Sequence, residues 1–331
     1  MRAIQLTAIN ALKIAVVPDP QPAAGEVTVS IHAAALNHRD VWIKLGQYAG
    51  LKWPCIPGSD GAGVVTAVGA GVDAAWLGRD VMINPGLDWG ASPGAQGNKF
   101  SILGLPRDGT LAEQVCVPAV QLVSKPDHLT WEEAAALPLA GLTAWRALMT
   151  RAAVLPGERV LVTGIGGGVA LLAMQFAIAH GAEVWVTSSS DEKISRAVAL
   201  GAKGGLNYTQ TGWAAAAAKT PGLFDVIVDS AGGEGFSDLI DLAASGGRIV
   251  VYGATRGNTP GLTLRKIFWR QVSVLGSTMG TPEEFAAMVQ FVTSRRLKPV
   301  VSDVMPLARA AEAFELMERG GQFGKIVIRI G

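Results

Sequence analysis

The chain has few cysteines, almost no net charge and no apolar run long enough to cross a membrane. Its two cysteines, Cys55 and Cys116, stand far apart, which argues against a disulfide framework and makes a reducing cytoplasm the expected location. A net charge of +1 argues against nucleic acid as a partner. The longest apolar run, 169–179, is about half a membrane span, and no signal peptide is visible at the start, so neither a membrane nor secretion is expected.

What the chain does contain is apolar residues and glycine. The 331 residues are 49% hydrophobic and include 41 glycines, a composition typical of a globular enzyme of about two domains. In the first ~125 residues, segments with strand-like patterns at 26–33, 61–69 and 80–84 are separated by glycine and proline, and a long loop follows at 85–105. This pattern predicts a β-rich first domain.

Beyond residue 130, short apolar strands alternate with helices, which is typical of an α/β fold with a parallel, doubly wound sheet. A capping box predicts a helix start at Thr130. A late block with helices to 296 and at 307–319 and a strand at 324–329 lies outside this alternation, so the chain is expected to return to its first domain. The predicted domains are 1–128 with 278–331, and 129–277. The predicted strands are 159–163, 183–188, 225–230, 247–253 and 271–277, and the helices are 169–180, 191–200, 212–219, 235–243 and 262–270.

The most informative segment is the glycine turn that follows the strand 159–163. Strand, glycines and helix in succession form the unit that holds a dinucleotide pyrophosphate on backbone N–H groups and a helix N-terminus. Val169 stands where the usual fingerprint has a third glycine, but Gly164-x-x-Gly167-x-x-Ala170 keeps small residues one helical turn apart. The alternative is a glycine-rich turn in another α/β protein.

Further segments accompany this turn in a fixed order, and together they make the chain resemble the medium-chain dehydrogenase/reductase superfamily over nearly its full length. The resemblance implies a chaperonin-10-like, β-rich catalytic domain with a Rossmann domain inserted before its last segment. The segments are GEV at 25–27, LNHRD at 36–40, PGSDGAG at 57–63, DGTLAE at 108–113, AGLTA at 140–144, FDVIVD at 224–229 and FGKIV at 323–327.

The zinc ligands of this family's alcohol dehydrogenases are missing. Alignment on flanking residues places Asn37 at the first cysteine, Ser59-Asp60 at the His-Glu pair and Leu139 at the second cysteine. An amide, a hydroxyl and an alkyl group cannot hold Zn²⁺ tetrahedrally. The loop that carries four cysteines in members with structural zinc, here 85–105, contains none. We therefore expect no metal at either site.

The resemblance is to the zinc-free branch, the quinone oxidoreductases and enoyl or acryloyl reductases, on the residues Asn37, Asp40 and Tyr48. It implies hydride transfer to an activated C=C bond or a quinone, with Asn37, Asp40 and Tyr48 as the catalytic residues. Asn37 would stabilise the enolate, and Tyr48 or a water would protonate carbon. The alternative role for Asn37 is an amide that stabilises its loop. The alternative for Tyr48 is an aromatic residue that lines the substrate site and transfers no proton. Asp60 is expected to pair with Arg39 or Lys44.

The cofactor expected is NADP(H). NAD enzymes place a carboxylate at the end of the second strand, whereas this chain has Ser188, Ser189 and Ser190 followed by Lys193, which suit a 2′-phosphate. The alternative for the serines is a turn and helix cap without a role in cofactor binding. Tyr208 is expected either near the phosphate of the adenine ribose or as an aromatic residue at the edge of the sheet. The resemblance implies that further residues bind the cofactor in one crevice; with the glycine turn, the set is Thr143, Gly164, Gly167, Gly168, Val169, Gly253, Ser277, Met279, Phe323 and Lys325.

Two further functions stay open: an NADPH-binding sensor or structural protein with little turnover, and an alcohol dehydrogenase. A homodimer is expected, because strand 271–277 is apolar and ends the sheet, and an exposed apolar edge would invite aggregation. A small-molecule substrate is the other expected partner.

Overall fold

The computed structural model describes all residues, 1–331, and divides them into two compact units. The β-rich unit comprises 1–142 and 280–331, and the Rossmann unit comprises 143–279. The segment 129–142, expected with the Rossmann domain, belongs to the β-rich unit because its first helix packs on strands of that unit. The return of the chain at 280 agrees with the expected order of segments.

The β-rich unit is built on a seven-stranded sheet in the order β16-β17-β3-β4-β5-β9, in which β8 also pairs with β3. Two small sheets, β1-β2 and β6-β7, complete it. The pair β6-β7 lies within the segment 85–105, which the sequence analysis treats as a loop. The strands are β1 (Arg2–Ala8), β2 (Ala11–Val16), β3 (Glu26–Ala35), β4 (Asp60–Val68), β5 (Asp80–Ile83), β6 (Gly86–Leu87), β7 (Ser101–Ile102), β8 (Gln114–Pro118), β9 (Leu122–Ser124), β16 (Val301–Pro306) and β17 (Lys325–Arg329).

The helices of this unit begin at well-defined caps. Thr130 and Thr281 each accept a hydrogen bond from the backbone N–H of the glutamate three residues later, and that glutamate accepts from the threonine N–H. The capping box predicted at Thr130 is therefore present. The helices are α1 (His38–Lys44), α2 (Trp131–Ala135), α3 (Pro138–Trp145, whose last three residues belong to the Rossmann unit), α9 (Pro282–Arg295) and α10 (Ala310–Arg319), with 3₁₀ turns at Ala74–Trp76, Ala119–Gln121 and Leu307–Arg309.

The Rossmann unit contains one six-stranded sheet in the order β12-β11-β10-β13-β14-β15, and every neighbouring pair in it is parallel. This is the doubly wound order 3-2-1-4-5-6 of dinucleotide-binding folds. The alternating pattern of the sequence is thereby confirmed. The strands are β10 (Arg159–Val162), β11 (Glu183–Ser188), β12 (Gly204–Asn207), β13 (Phe224–Asp229), β14 (Ala243–Val251) and β15 (Ser273–Gly276), and the helices are α4 (Gly168–His180), α5 (Asp191–Ala199), α6 (Trp213–Lys219), α7 (Phe236–Leu242) and α8 (Leu264–Arg270), with a π-helical turn at Arg146–Arg151.

Within the Rossmann unit, β12 is the strand absent from the predicted set. Its sequence, Gly-Gly-Leu-Asn, has poor strand propensity. The glycines are required by packing, because a Cβ on Gly204 would lie 2.3 Å from the Trp185 ring and one on Gly205 would lie 2.4 Å from Ile194. No helix of the chain combines the length and the apolar character needed to cross a membrane.

Candidate functional site

Three polar side chains meet in the β-rich unit and form what we call the polar cluster: Asn37, Asp60 and Lys325. The Lys325 ammonium donates to Asn37 Oδ1 at 2.6 Å and to Asp60 Oδ2 at 2.8 Å. Asn37 Nδ2 donates to the same Asp60 oxygen at 2.9 Å. Asp60 is 0% exposed and Lys325 3% exposed, so this is a buried ion pair with an amide bridging its two members.

The sheet brings these residues together from distant parts of the sequence. Ala35, at the end of β3, pairs with Asp60, at the start of β4, and β17 pairs antiparallel with the same end of β3. The backbone N–H of Leu36 donates to the carbonyl of Ile326, which places Asn37 beside Lys325. Three strand ends thus converge on one point, and a side chain from each of them, or from the residue that follows, enters the cluster.

Gly324 sets the path by which Lys325 enters. Its φ of +125° lies in the region that favours glycine, and a Cβ there would stand 2.4 Å from the carbonyl oxygen of Val300. The second oxygen of Asp60 is also satisfied, since Leu139 N donates to Asp60 Oδ1 at 2.7 Å. The carboxylate therefore has fixed partners on both oxygens.

Asp40 lies deeper than its predicted catalytic role suggests. Its carboxylate is 0% exposed and accepts from the backbone N–H of Asn37 at 2.8 Å and of Gly58 at 3.0 Å. Burial raises the pKa of Asp40, while Arg39 and these N–H bonds oppose that rise. Asp40 thus holds the backbone that carries Asn37, which is a positioning role.

The predicted partners of Asp60, Arg39 and Lys44, lie elsewhere, so that expectation is wrong. Lys44 pairs with Glu318, and the Arg39 guanidinium donates to Ser59 Oγ at 2.7 Å and to the Leu103 carbonyl at 2.8 Å. Lys325 takes the place of both. No local pattern indicates this pairing, since Lys325 follows Asn37 by 288 residues.

Tyr48 stacks under Arg39. The guanidinium carbon lies 4.9 Å from the ring centre, and Arg39 Nε donates to the tyrosine hydroxyl at 3.4 Å. Tyr48 is half-buried, and its ring packs beside the apolar group formed by Leu6, Ile43, Cys55 and Leu105. In this hydrogen bond the tyrosine oxygen is the acceptor.

His38 is a weak candidate for an acid. Burial lowers the pKa of this imidazole, and the positive charge of Lys325 lowers it further, so the ring is neutral near pH 7. The two cysteine thiols are also weak candidates for an acid or a nucleophile. Burial raises the pKa of Cys55 to about 11 and also raises the pKa of Cys116. They act as small apolar groups.

The residues at the family's zinc-ligand positions do not suit zinc. Asn37 and Asp60 direct their oxygens at an ammonium, Ser59 Oγ donates to the Leu103 carbonyl, and Leu139 offers no donor atom. No group of three or more His, Cys, Asp or Glu side chains in the chain is arranged to hold a metal ion. A tetrahedral zinc site needs thiolate, imidazole or carboxylate ligands in that number.

The glycine turn of the Rossmann unit has the form a pyrophosphate requires. Gly164 and Gly166 have φ of +64° and +127°, and Gly167 starts α4 without a side-chain cap. Cβ atoms added at Gly164 and Gly167 would meet nothing within 4 Å, so the turn is open above its backbone. The first N–H groups of a helix have no partner within it, and they favour an anion.

Lys193 reaches this turn from α5. Its Nζ lies 3.3 Å from the point where a Cβ of Gly166 would stand. Partial burial lowers the pKa of Lys193, and Arg196 lowers it further. Ser190 Oγ accepts from the Lys193 N–H and Ser188 Oγ accepts from the Ser190 N–H, so the serines do cap α5. Ser189, the third serine of the set, is exposed.

Arg256 is a cation that the sequence analysis missed. Its guanidinium carbon lies 4.8 Å from the centre of the Tyr208 ring, and its Nη2 donates to the Tyr208 hydroxyl at 3.0 Å. Tyr208 in turn is held to β11, because its N–H donates to the carbonyl of Ser188. Both side chains therefore gather where β11 ends, which is the place of the ribose specificity residue in Rossmann folds.

The residues assigned to the nicotinamide fall into both units. Within the Rossmann unit, Thr143 Oγ1 lies 3.8 Å from Met279 Sδ, and Ser277 Oγ is buried without a hydrogen-bond partner. Gly253 allows close approach, since a Cβ there would lie 3.1 Å from the carbonyl oxygen of Ser230. Phe323 is buried in the β-rich unit, and its N–H donates to Ser302 Oγ.

A glycine turn on a parallel sheet of this strand order defines a dinucleotide-binding protein, and comparison with known proteins makes the class specific. The models for the alcohol dehydrogenase GroES-like domain and for the zinc-binding dehydrogenase match residues 23–127 and 168–294. The chain belongs to the medium-chain dehydrogenase/reductase superfamily and is an oxidoreductase of that family.

Three relatives show how wide that family is. The zinc-type alcohol dehydrogenase-like protein YogA of Leptosphaeria maculans is 36% identical, over 96% of this chain and 94% of its own. Human quinone oxidoreductase is 30% identical, over 93% and 90%. A solved NAD-dependent alcohol dehydrogenase is 41% identical with a TM-score of 0.95 over 100% of both chains. Similarity thus extends to quinone reductases and to alcohol dehydrogenases.

Proposed function

We propose that the protein is an NADPH-dependent reductase of activated C=C bonds or quinones that works without zinc. The observation that carries this proposal is the polar cluster, in which an ammonium stands among the residues at the zinc-ligand positions. Reduction of a simple ketone profits from a Lewis acid, whereas a conjugated acceptor needs only hydrogen bonds on the oxygen that gains charge. The quinone oxidoreductase relative is in keeping with this chemistry.

NADPH, when bound, supplies the hydride. The Rossmann unit offers the glycine turn and the N-terminus of α4 to the pyrophosphate, and the β-rich unit offers polar donors to the acceptor. Hydride addition to the β-carbon moves an electron pair to the carbonyl oxygen, where the Asn37 amide N–H stabilises the enolate. Protonation of the α-carbon then completes the reduction, with Tyr48 as the proposed donor.

The preference for NADPH over NADH follows from charge. Ser188 stands at the end of β11, where a carboxylate would select NADH, and Lys193, Tyr208 and Arg256 surround that strand end. Ammonium and guanidinium groups bind a 2′-phosphate through charge-assisted hydrogen bonds. Nothing negative at Ser188 opposes that phosphate.

An assay with both cofactors tests the proposal. Purified protein is mixed with NADPH or NADH and with 2-alkenals, cyclohexenone, crotonyl-CoA, acryloyl-CoA or quinones, and oxidation is followed at the nicotinamide absorbance band. We expect turnover with NADPH and a lower kcat/KM with NADH. Metal analysis of tag-free protein accompanies it, and near-stoichiometric zinc would contradict the zinc-free mechanism.

Alcohol oxidation is the second candidate, favoured by the 41% identity to an NAD-dependent alcohol dehydrogenase. The same protein is therefore assayed with primary and secondary alcohols and oxidised cofactor. A higher kcat/KM for an alcohol than for every enone and quinone would select this function instead.

The role of Tyr48 has its own test. Tyr48→Phe keeps the ring on Arg39 and removes only the hydroxyl, so we expect kcat to fall at least ~10-fold while cofactor affinity stays unchanged. An unchanged kcat would leave Tyr48 as a wall of the substrate site and point to water as the proton donor.

We also propose that two copies associate through the edge strand β15. Next to this unpaired edge, α8 exposes a patch in which Trp269 is 79%, Leu264 69% and Phe268 66% accessible. A patch and a strand edge of this kind are covered in stable proteins. Light scattering is expected to show a dimer, and Trp269→Glu with Val274→Lys is expected to give monomers; a native monomer would refute the proposal.

A further inference from the structure

We infer that Lys325 is a catalytic residue whose ammonium contacts the substrate oxygen and replaces the metal as the positive charge of the site. The inference rests on the proposed function for its substrate class, an acceptor whose carbonyl oxygen gains charge. It assigns Lys325 to the substrate, whereas the family resemblance places this residue beside the nicotinamide.

The first support is the count of donors and acceptors. An ammonium has three N–H donors, and Lys325 spends two of them on Asn37 and Asp60. The third has no acceptor in the protein. The Asn37 amide likewise has two N–H donors, of which one goes to Asp60 and the other has no acceptor.

The second support is burial. Lys325 is 3% and Asn37 8% exposed, so both residues are buried. A buried donor without a partner is costly, and a catalytic role is one of the reasons for which a native structure retains it. Two neighbouring N–H donors in a dry site match an oxyanion, which accepts from both.

The third support is that the nearby carboxylates are already held by fixed partners. Asp60 takes Asn37 and Lys325 on one oxygen and Leu139 N on the other, and Asp40 takes two backbone N–H groups. Neither carboxylate can turn to receive the spare donors without losing a bond. The spare donors of Lys325 and Asn37 therefore remain for a ligand to accept from.

The positive charge of the Lys325 ammonium stabilises the negative charge that develops on the substrate oxygen. Asp60 balances the ammonium in the resting protein, so the pair is stable without substrate. When hydride arrives at the β-carbon, the electron pair moves to the carbonyl oxygen, and the Lys325 N–H bond to it becomes charge-assisted on both sides. No proton has to leave the lysine in this step.

A pair of variants separates this role from a structural one. Lys325→Met alone leaves a buried carboxylate without its partner and is expected to fold poorly, so Asp60→Asn with Lys325→Met removes both charges together. Lys44→Met is the matched control, since it removes an ion-paired lysine of the same unit outside the polar cluster.

The first readout requires no hydride chemistry. 4-Nitrophenol is mixed with each protein at one fixed pH, and the phenolate band reports how much of the bound phenol is ionised. We expect a larger phenolate fraction on the native protein and on Lys44→Met than on the double variant. Equal fractions on all three, or no binding to the native protein, would overturn the inference.

The second readout distinguishes substrate from cofactor. The double variant is expected to bind NADPH within about twofold of the native protein and to lose 10²- to 10³-fold in kcat, the usual loss for one oxyanion donor. A tenfold or greater loss of NADPH affinity with unchanged phenolate fraction would place Lys325 on the cofactor. Native protein that ionises the phenol but reduces no enone or quinone would refute the proposed function and leave the assignment of Lys325 standing.

Discussion

The polar cluster of the β-rich unit and the glycine turn of the Rossmann unit differ in burial and in how their charged groups and N–H donors are arranged. The polar cluster is buried, and it holds two opposite charges and an amide in fixed hydrogen bonds. The glycine turn is open, and it offers backbone N–H groups with the Lys193 ammonium nearby. The first is suited to a small charge that appears during a reaction, and the second to a large anion that is present from the start.

The largest difference between the two regions is expected in stability. Lys325→Met leaves Asp60 buried and unpaired, so we expect the free energy of unfolding to fall by about 3–5 kcal/mol in urea denaturation. Adding Asp60→Asn is expected to recover a large part of this loss. A loss below ~1 kcal/mol for the single variant would show that water reaches the pair.

Removal of a cation from the Rossmann unit is expected to affect binding and not folding. Arg256→Ala and Lys193→Ala are each expected to weaken NADPH binding by about 10-fold or more, the worth of a charge-assisted hydrogen bond, measured by nicotinamide fluorescence. Unfolding free energies are expected to stay within ~0.5 kcal/mol of native, because Arg256 is exposed and Lys193 is only partly buried. NADH binding serves as the control, and an equal loss for both cofactors would contradict a role at the 2′-phosphate.

A charge at Ser188 sharpens this comparison. Ser188→Asp places a carboxylate at the end of β11 and keeps an acceptor for the Ser190 N–H. We expect the ratio of kcat/KM for NADPH to that for NADH to fall about 10-fold or more, because the carboxylate repels the 2′-phosphate and accepts from a 2′-OH. Ser188→Asn is the neutral control, and a similar fall with it would show that shape, not charge, matters.

The smallest expected effect is a pH dependence in the β-rich unit. The pKa of His38 is lowered in the folded protein, so below the ordinary value of ~6.5 the unfolded chain binds more protons, and stability is lost as pH falls through this window. The slope from one such group is at most about 1.4 kcal/mol per pH unit. Asp40, with a raised pKa, acts in the opposite direction. The difference between the curves of native protein and His38→Gln isolates the histidine, and a flat difference between pH 5 and 7 would refute its contribution.

Sequence reasoning was strongest where a pattern is local. The alternation of strands and helices and the glycine turn are set by neighbouring residues, and their placement was predicted to within a few positions along most of the Rossmann unit. β12 was not predicted because its glycines are needed to leave room for the side chains of Trp185 and Ile194, and no local sequence pattern shows that requirement.

The candidate site was less predictable because its contacts are remote in sequence. Asn37 and Asp60 were singled out by alignment, but the lysine between them was not placed there, and Arg256 lies 48 residues from the tyrosine on which it stacks. Side chains from three strand ends meet only once the sheet has formed. The sequence therefore indicates the chemical role of single residues, but it does not indicate which of them contact one another in the folded protein.

The return of the chain at Gly280 has a consequence for biosynthesis. The Rossmann unit is one continuous segment, 143–279, and leaves the ribosome whole before β16 and β17 have been made. Domains generally fold as units during synthesis, so this segment is free to fold first. Lys325, the counter-ion of Asp60, is translated 265 residues after it. The β-rich unit, in contrast, is complete only when its last strand, β17, has been synthesised.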